Sequence, residues 1–276
     1  MLENEFLEPT LRYRKIKKTI SMSNYDNLYF DENTPIDFMR METYNGKETP
    51  LVAFSNGAFE FNGNSIAFSN MANYPIMFKG HRFSSPETAY IAAYYGNNTE
   101  DCIRIQREIQ AMTNALICKR VYRKNKSNTI HGRPDFHQST WHFNLMLYLV
   151  WEKCKAHPEF RKILLAIPDR YAIIESQNPF PAVRIGDWGC KNLEAHKAYK
   201  QRVKELEESS TLSSKIKIKN KAVVDTWNIG TWEGCNHQGK ILMACRKALR
   251  TQTQPCIDYA ALNEAQIYLF GQLLEF

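Results

Sequence analysis

The segment FSNMANYPIMFKGHRFSSPETAYIAAYYG, residues 68–96, changes from a strand pattern to a helix pattern and thereby decides the fold class. PIMF and HRF flank Lys79-Gly80, and a glycine turn between two short apolar runs predicts a tight β-hairpin. Ser85-Pro86-Glu87 then supplies an N-cap hydroxyl, a proline at the first helical position and an acid in the first turn. The segment therefore predicts short hairpins that lead into helices.

The rest of the chain extends this pattern. Asn56-Gly57 joins the apolar runs LVAFS and AFEF and predicts another hairpin. Further predicted elements are helices over 101–118, 139–156, 157–167, from Gly239 onward and over 263–274, and a strand over 171–176. We predict an α+β, mainly helical single domain with short β-hairpins at its N-terminal side. An N-terminal arm covers 1–45 and the domain 46–276, with an insertion, part helix and part hairpin or loop, at about 191–226.

Composition places the chain among globular proteins. Hydrophobic residues make up 43% and charged residues 24% of its 276 positions, values that are too apolar for a disordered chain. No apolar run approaches the ~18 residues of a membrane span, and the start resembles no signal peptide, so we expect a cytoplasmic protein without a membrane partner. The seven cysteines include no CxxC pair, and Cys235 and His237 have no further ligands at a useful spacing, so we expect no metal site.

Positive charge is concentrated between Arg104 and Arg133. This stretch holds eight basic residues against the single acid Glu108. Such a stretch is typical either of a surface that binds nucleic acid or a pyrophosphate, or of a solvated loop. The candidate nucleic-acid-binding residues are Arg120, Arg123, Lys124 and Lys126.

Three places combine polar side chains with special backbone. Ser69 and Asn70 lie in FSNMANYP, where such residues make turns or contact a ligand. Glu87 is either a carboxylate that supports a helix start or one that points into a cleft and activates water. Two Gly-Trp segments, 185–189 and 231–240, indicate either a nucleotide site or tryptophans anchored in core turns, and neither has the Rossmann or P-loop spacing.

Taken in order, these pieces resemble the NADAR family, the YbiA-like N-glycosidases, over about residues 50–250. The matching positions are Phe68-Ser69-Asn70, Phe78-Lys79-Gly80, Pro86-Glu87, Trp141, Met146, Lys153, Glu175-Ser176, Trp188-Gly189, Gly234, Asn236, Gly239, Leu242, Met243 and Arg246. The chain departs from the family pattern after Glu87, where His, Gln and Lys are replaced by Thr88, Ile91 and Tyr94. Cys235 stands where the family has Arg, and Asp187 is a stand-in for an Asp that the family has at the position of Ile185.

The resemblance implies hydrolysis of an N-glycosidic bond between ribose and a base, without a cofactor or metal. It implies that Glu87 stabilises charge and activates water, with Glu175 and Asp187 as the next catalytic carboxylates. Trp188 would stack on base or sugar, Asn70 and Asn236 would orient hydroxyls, and Lys240 would hold phosphate. The implied substrate-binding set is Ser69, Asn70, Trp188, Gly189, Asn236, Gly239, Lys240 and Arg246.

Two substrate classes fit this resemblance. One is ADP-ribose linked to a base, such as guanine in DNA; the other is a phosphoribosylaminouracil intermediate of riboflavin biosynthesis. The basic stretch, the arm, the insertion and the departures after Glu87 favour ADP-ribosylated nucleic acid over a ribosylated small molecule. A third reading is a catalytically silent module that binds ADP-ribose or a nucleotide.

Overall fold

The computed structural model describes residues 33–55, 59–61, 64–180, 182, 187–209 and 214–276. The strands are β1 Glu42–Asn45, β2 Leu51–Phe54, β3 Phe59–Phe61, β4 Asn64–Ile66, β5 Ile76–Phe78, β6 His81–Phe83, β7 Ala172–Glu175, β8 Thr231–Gly234, β9 Tyr268–Leu269 and β10 Gln272–Leu273. The α-helices are α1 Pro86–Tyr94, α2 Glu100–Ala111, α3 Ala115–Cys118, α4 Lys126–Thr129, α5 Trp141–Ala156, α6 Pro158–Ala166, α7 Leu193–Ser209, α8 Lys215–Thr226, α9 His237–Thr251 and α10 Tyr259–Glu264. A π-helical turn, Lys119–Arg123, continues α3, and a short 3₁₀ helix spans Pro134–His137.

The predicted hairpin and helix start at 76–94 are confirmed. β5 and β6 pair antiparallel, and both Lys79 and Gly80 have positive φ, as a tight hairpin turn requires. The Ser85 side chain accepts a hydrogen bond from the Thr88 backbone N–H, and the Thr88 hydroxyl oxygen accepts one from the Ser85 N–H. This reciprocal cap fixes the start of α1 with Glu87 in its first turn.

The predicted hairpin around Asn56-Gly57 is wrong. β2 pairs in parallel with β7, from Leu51 opposite Ala172 to Phe54 opposite Glu175, whereas β3 pairs with β4. All four residues of β2 are buried, which suits a parallel strand covered on both faces better than one arm of an exposed hairpin. Residues 56–58 lie outside the described residues.

Two predicted helices have different boundaries. The helix predicted over 101–118 ends at Ala111 and restarts at Ala115, because the Asn114 side chain caps the new helix through the Leu116 and Ile117 N–H groups. The helix predicted over 263–274 is wrong. α10 ends at Glu264, and β9 and β10 form a hairpin whose turn residues Phe270 and Gly271 both have positive φ.

The core is built around α5, which packs against α1, α6, α9 and α10, while α9 covers β7. Most of α5 is buried, and so is nearly all of α9 up to Arg246. Of the predicted insertion, the described parts are two helices, α7 and α8, which pack through Leu206, Ile218 and Ala222. The described part of the chain is thus α+β, with short strands and a mainly helical core.

The residues just before 46 belong to this core. β1 pairs antiparallel with β8, and Phe38 is buried. Residues 38–45 of the predicted arm are therefore part of the packed domain, while residues 1–32 lie outside the described residues. All seven cysteines are free thiols, six of them buried. No helix among the described residues is long and apolar enough to cross a membrane.

Candidate active site

Glu87 and Lys119 form the centre of the candidate site. Lys119 Nζ lies 2.9 Å from Glu87 Oε1, and the glutamate side chain is only 9% exposed while that of the lysine is 40% exposed. The Glu87 backbone N–H donates to the Asn70 carbonyl at 3.1 Å, which ties the start of α1 to the Ser69-Asn70 turn. Lys119 begins the π-helical turn, an irregularity that is frequent at functional sites.

Glu175 ends β7 beside this pair. Burial raises the pKa of Glu175 to about 7; the positive charge of Lys119 opposes this shift and the negative charge of Glu87 adds to it. The residue as a whole is partly exposed. The two carboxylates therefore have different environments, since Glu87 has a cation in direct contact and Glu175 retains its proton to near neutrality.

The Trp188-Gly189 element runs alongside Glu175. The Cys190 N–H donates to the Glu175 carbonyl at 2.7 Å, and a side chain at Gly189 would overlap that same carbonyl oxygen. Gly189 is therefore explained by close backbone packing. The Trp188 ring, which is partly exposed, meets the Tyr90 ring edge-on at 5.6 Å, one helical turn beyond Glu87.

An aromatic cluster surrounds Trp188. Tyr90 O–H and His142 Nδ1 are 2.9 Å apart, and Phe143 lies 5.4 Å from the Trp188 ring. His237 is fully buried 5.6 Å from that ring, close to the backbone of Phe38. Burial lowers the pKa of His237 to about 3, and Lys240 adds to the shift, so this imidazole is neutral at pH 7.

Asn70 joins this site through Gln238. Each side-chain amide donates to the other, at 2.6 and 2.9 Å, and the Gln238 backbone N–H donates to the Trp188 carbonyl at 3.2 Å. Ser69 is buried and accepts the Met71 N–H, while its carbonyl faces the buried Lys153 ammonium at 3.5 Å. These contacts hold the Ser69-Asn70 turn against the start of α9.

Asp187 is less closely tied to the other carboxylates. It forms an ion pair with Lys191 at 2.6 Å and is about one quarter exposed. Its negative charge reaches the neighbouring His237. The structure thus places Asp187 beside Trp188, with Lys191 as an ion-pair partner.

Asn236 and Gly239, which were predicted to contact substrate, make contacts within the fold. The Asn236 amide accepts the Glu175 N–H and donates to the Ile173 carbonyl and the Tyr44 hydroxyl oxygen. A side chain at Gly239 would overlap the Ile173 carbonyl, so this glycine lets α9 approach β7. These contacts do not support the predicted roles of Asn236 and Gly239 toward substrate.

The predicted phosphate-binding role of Lys240 also lacks support, because this side chain is 1% exposed. Its ammonium pairs with Glu42 at 3.0 Å and donates to the Asp37 and Arg40 carbonyls. Arg246 is fully buried and donates to carbonyls that include those of Pro168 and Tyr171. Both cations anchor distant chain segments on α9.

The basic stretch is divided between interior and surface. The Arg123 guanidinium lies 4.2 Å from the centre of the Tyr94 ring and 5.1 Å from that of Phe136. Phe136 in turn contacts Tyr90 of the aromatic cluster around Trp188, so Arg123 faces inward. Arg120, Lys124 and Lys126 are exposed. Arg123, a predicted nucleic-acid-binding residue, therefore faces inward, whereas Lys119, which is not among the predicted site residues, contacts Glu87. In the sequence, both residues are marked only by the absence of acids from 109 to 134.

Comparison with known proteins found a similarity to a solved structure. The NMR structure of the Escherichia coli protein YbiA is similar with a TM-score of 0.43 and 17% sequence identity, over 74% of this chain and 88% of that one. No family model matches the chain, and no curated protein matches it.

Proposed function

We propose that this protein is an N-glycosidase that hydrolyses a ribosyl N-glycosidic bond, and that its substrate is ADP-ribose linked to a base, such as guanine in DNA. The observation that carries the proposal is the grouping of Glu87, Lys119 and Glu175 beside the partly exposed Trp188 ring. The ordered sequence motifs described above support the same reaction class.

The two glutamates suit the two proton transfers of this reaction. As the bond between C1′ and the base nitrogen breaks, its electron pair moves to the nitrogen, which takes the proton of Glu175. Water attacks the cationic C1′ and gives its proton to the Glu87 carboxylate. Glu175, which holds its proton near pH 7, is suited to act as the acid. Glu87, with Lys119 in direct contact, is suited to act as the base and to stabilise the sugar cation.

The aromatic residues supply a surface for the base or sugar. Trp188 is braced by Tyr90 and Phe143 and remains partly exposed, so it can stack on a flat ring without reorganisation of the core. The Glu175 carbonyl accepts a hydrogen bond from the N–H of Cys190, which is two residues after Trp188. A ring that stacks on Trp188 would therefore lie near Glu175, the proposed acid.

The substrate preference rests on charge. Arg120, Lys124 and Lys126 are exposed near Lys119, where they can attract the pyrophosphate of ADP-ribose or the phosphates of a nucleic acid. Lys240 and Arg246 do not contribute to this charge at the site, since they are buried in the fold.

The decisive experiment compares two substrates. Purified protein is incubated with an ADP-ribosylated DNA oligonucleotide and with a phosphoribosylaminouracil, and mass spectrometry follows the release of ADP-ribose or ribose phosphate. We expect release of ADP-ribose and an unmodified base. Release from the uracil compound alone would overturn the substrate assignment, and binding without release from either would replace the enzyme by a silent binding module.

A further inference from the structure

The helix formed by α3 and the π-helical turn has two different faces. Its buried side chains are Ala115, Cys118 and Tyr122. On the opposite side lie Leu116, Ile117, Arg120 and Lys124, which we call the 116–124 face. Leu116 is 53% and Ile117 is 47% exposed, so two large apolar side chains stand side by side in solvent next to two cations.

Acidic side chains do not neutralise this face. No Asp or Glu occurs from residue 109 to residue 134. Arg120 and Lys124 form no ion pair with any carboxylate among the described residues. The acids that flank this stretch in the sequence have other partners: Glu108 pairs with Arg104 and the Tyr122 hydroxyl, and Asp135 pairs with Arg133. The face therefore presents uncompensated positive charge.

Lys119 connects this face to the candidate active site. Lys119 follows Leu116 by three positions, so the two side chains are neighbours on the helix surface. Its ammonium is nevertheless turned to Glu87, at 2.9 Å. The 116–124 face therefore borders the partly exposed lysine that contacts Glu87.

We infer that the 116–124 face is a docking surface for a nucleic-acid strand, an inference that rests on the proposed function. Arg120 and Lys124 bind the phosphates, and Leu116 with Ile117 contacts the base step next to the base that reaches Glu87. An enzyme that acts on a base within a strand takes that base out of the stack, and apolar side chains such as Leu and Ile can insert between the remaining bases.

An acidic protein is the other partner that positive charge could attract. The exposed Leu116 and Ile117 favour a nucleic acid over an acidic protein as the partner. Unstacked bases offer flat apolar surfaces for these two side chains, next to a regular row of phosphates for the two cations. Docking through phosphates also predicts a steep dependence on salt concentration.

The first test measures binding of unmodified DNA. Fluorescence anisotropy records the affinity for a labelled strand of about 15 nucleotides at several salt concentrations. We expect Arg120→Glu with Lys124→Glu to weaken binding at least about tenfold and to make the plot of log K against log salt shallower by about 1 to 2. The matched control is Lys162→Glu on α6, which is exposed elsewhere and should change neither value.

The second test separates the apolar contact from the charge. Leu116→Ser with Ile117→Ser should lower kcat/KM about tenfold for a modified base within DNA and leave it unchanged for the isolated modified nucleoside. Leu165→Ser on α6, another exposed leucine, should leave both values unchanged. Equal losses on both substrates would overturn the apolar contact, and unchanged DNA affinity in the charge-reversed variant would overturn the docking surface.

The two proposals fail in different ways. If the protein binds DNA through Arg120 and Lys124 but releases no ADP-ribose, the proposed reaction is wrong and the docking surface stands. If the wild-type protein cleaves the isolated nucleoside, but the charge-reversed variant binds DNA as tightly as the wild-type protein does, the proposed reaction stands and the docking surface is wrong.

Discussion

Lys119 and Glu87 are in direct contact, 2.9 Å apart, although 31 residues separate them in the sequence and they lie on different helices. The contact turns a lysine from a basic surface stretch toward the buried first turn of α1. Glu87 is therefore more than a charge that supports the helix start, since it also has a cation beside it and a second carboxyl group, Glu175, within electrostatic reach.

Replacement of Glu87 tests the proposed base. Glu87→Gln should retain ligand binding and lower turnover at least ~100-fold, because the amide keeps the shape but cannot accept the proton of water. Product release by mass spectrometry and binding by calorimetry give the two values. Glu100→Gln, in the exposed first turn of α2, is the matched control and should be fully active. Full activity of Glu87→Gln would remove Glu87 from the mechanism.

Replacement of Glu175 tests the proposed acid. In the unmodified protein, kcat/KM should fall as the pH rises through about 7, because the carboxyl group then loses the proton that the departing base needs. Glu175→Gln should be slower, and the fall near pH 7 should be missing from its pH profile. A profile that keeps this fall in the variant would assign it to another group.

The same group links stability to pH. The folded chain keeps the Glu175 proton up to about pH 7, whereas a solvated glutamate loses it near 4.5. The stabilising effect of this protonation is complete below pH 4.5 and is lost as the pH rises through 7. Urea unfolding of the unmodified protein and of Glu175→Gln should show that the unmodified protein loses stability relative to the variant between pH 5 and pH 8. A constant difference would contradict the raised pKa.

Lys119 acts through the two glutamates in this scheme, and its replacement tests that role. Its charge opposes the raised pKa of Glu175, so Lys119→Met should move the fall in the pH profile to higher pH. We also expect kcat/KM to decrease about tenfold or more, since Glu87 loses its partner. Lys119→Arg keeps the charge, so its kcat/KM should decrease at the same pH as in the wild-type protein. If the lysine were purely structural, neither variant would change the pH at which kcat/KM decreases.

The sequence predicted correctly those turns and helix starts whose contacts lie within a few residues of one another along the chain. The Lys79-Gly80 turn and the Ser85 cap are each completed within four residues, so both could be derived from the sequence. β2 finds its partner β7 about 120 residues later, and the apolar run LVAF does not show which distant segment it pairs with.

The same distinction between local and distant contacts applies at the candidate site. The sequence indicated Glu87 and Trp188 as site residues, because a carboxylate and an aromatic ring are residue types that suit the reaction. It could not show that Lys240 and Arg246 are used inside the fold, because the carbonyls that they bind belong to segments far away in the chain. Lys119 was missed for the converse reason, since only the folded chain brings it to Glu87.

Replacement of Lys240 tests whether this cation stabilises the fold or binds substrate phosphate. Lys240→Met removes the ion pair with Glu42 and two hydrogen bonds that attach residues 37–42 to α9, and it leaves a buried carboxylate with Arg40 as its remaining partner. We expect a loss of about 3 kcal/mol in the free energy of unfolding, measured with urea. In the fraction that remains folded, affinity for ADP-ribose should be unchanged. Lys247→Met on the same helix, whose side chain is not part of this anchor, is the control. Unchanged stability together with weakened ADP-ribose binding would return Lys240 to the binding site.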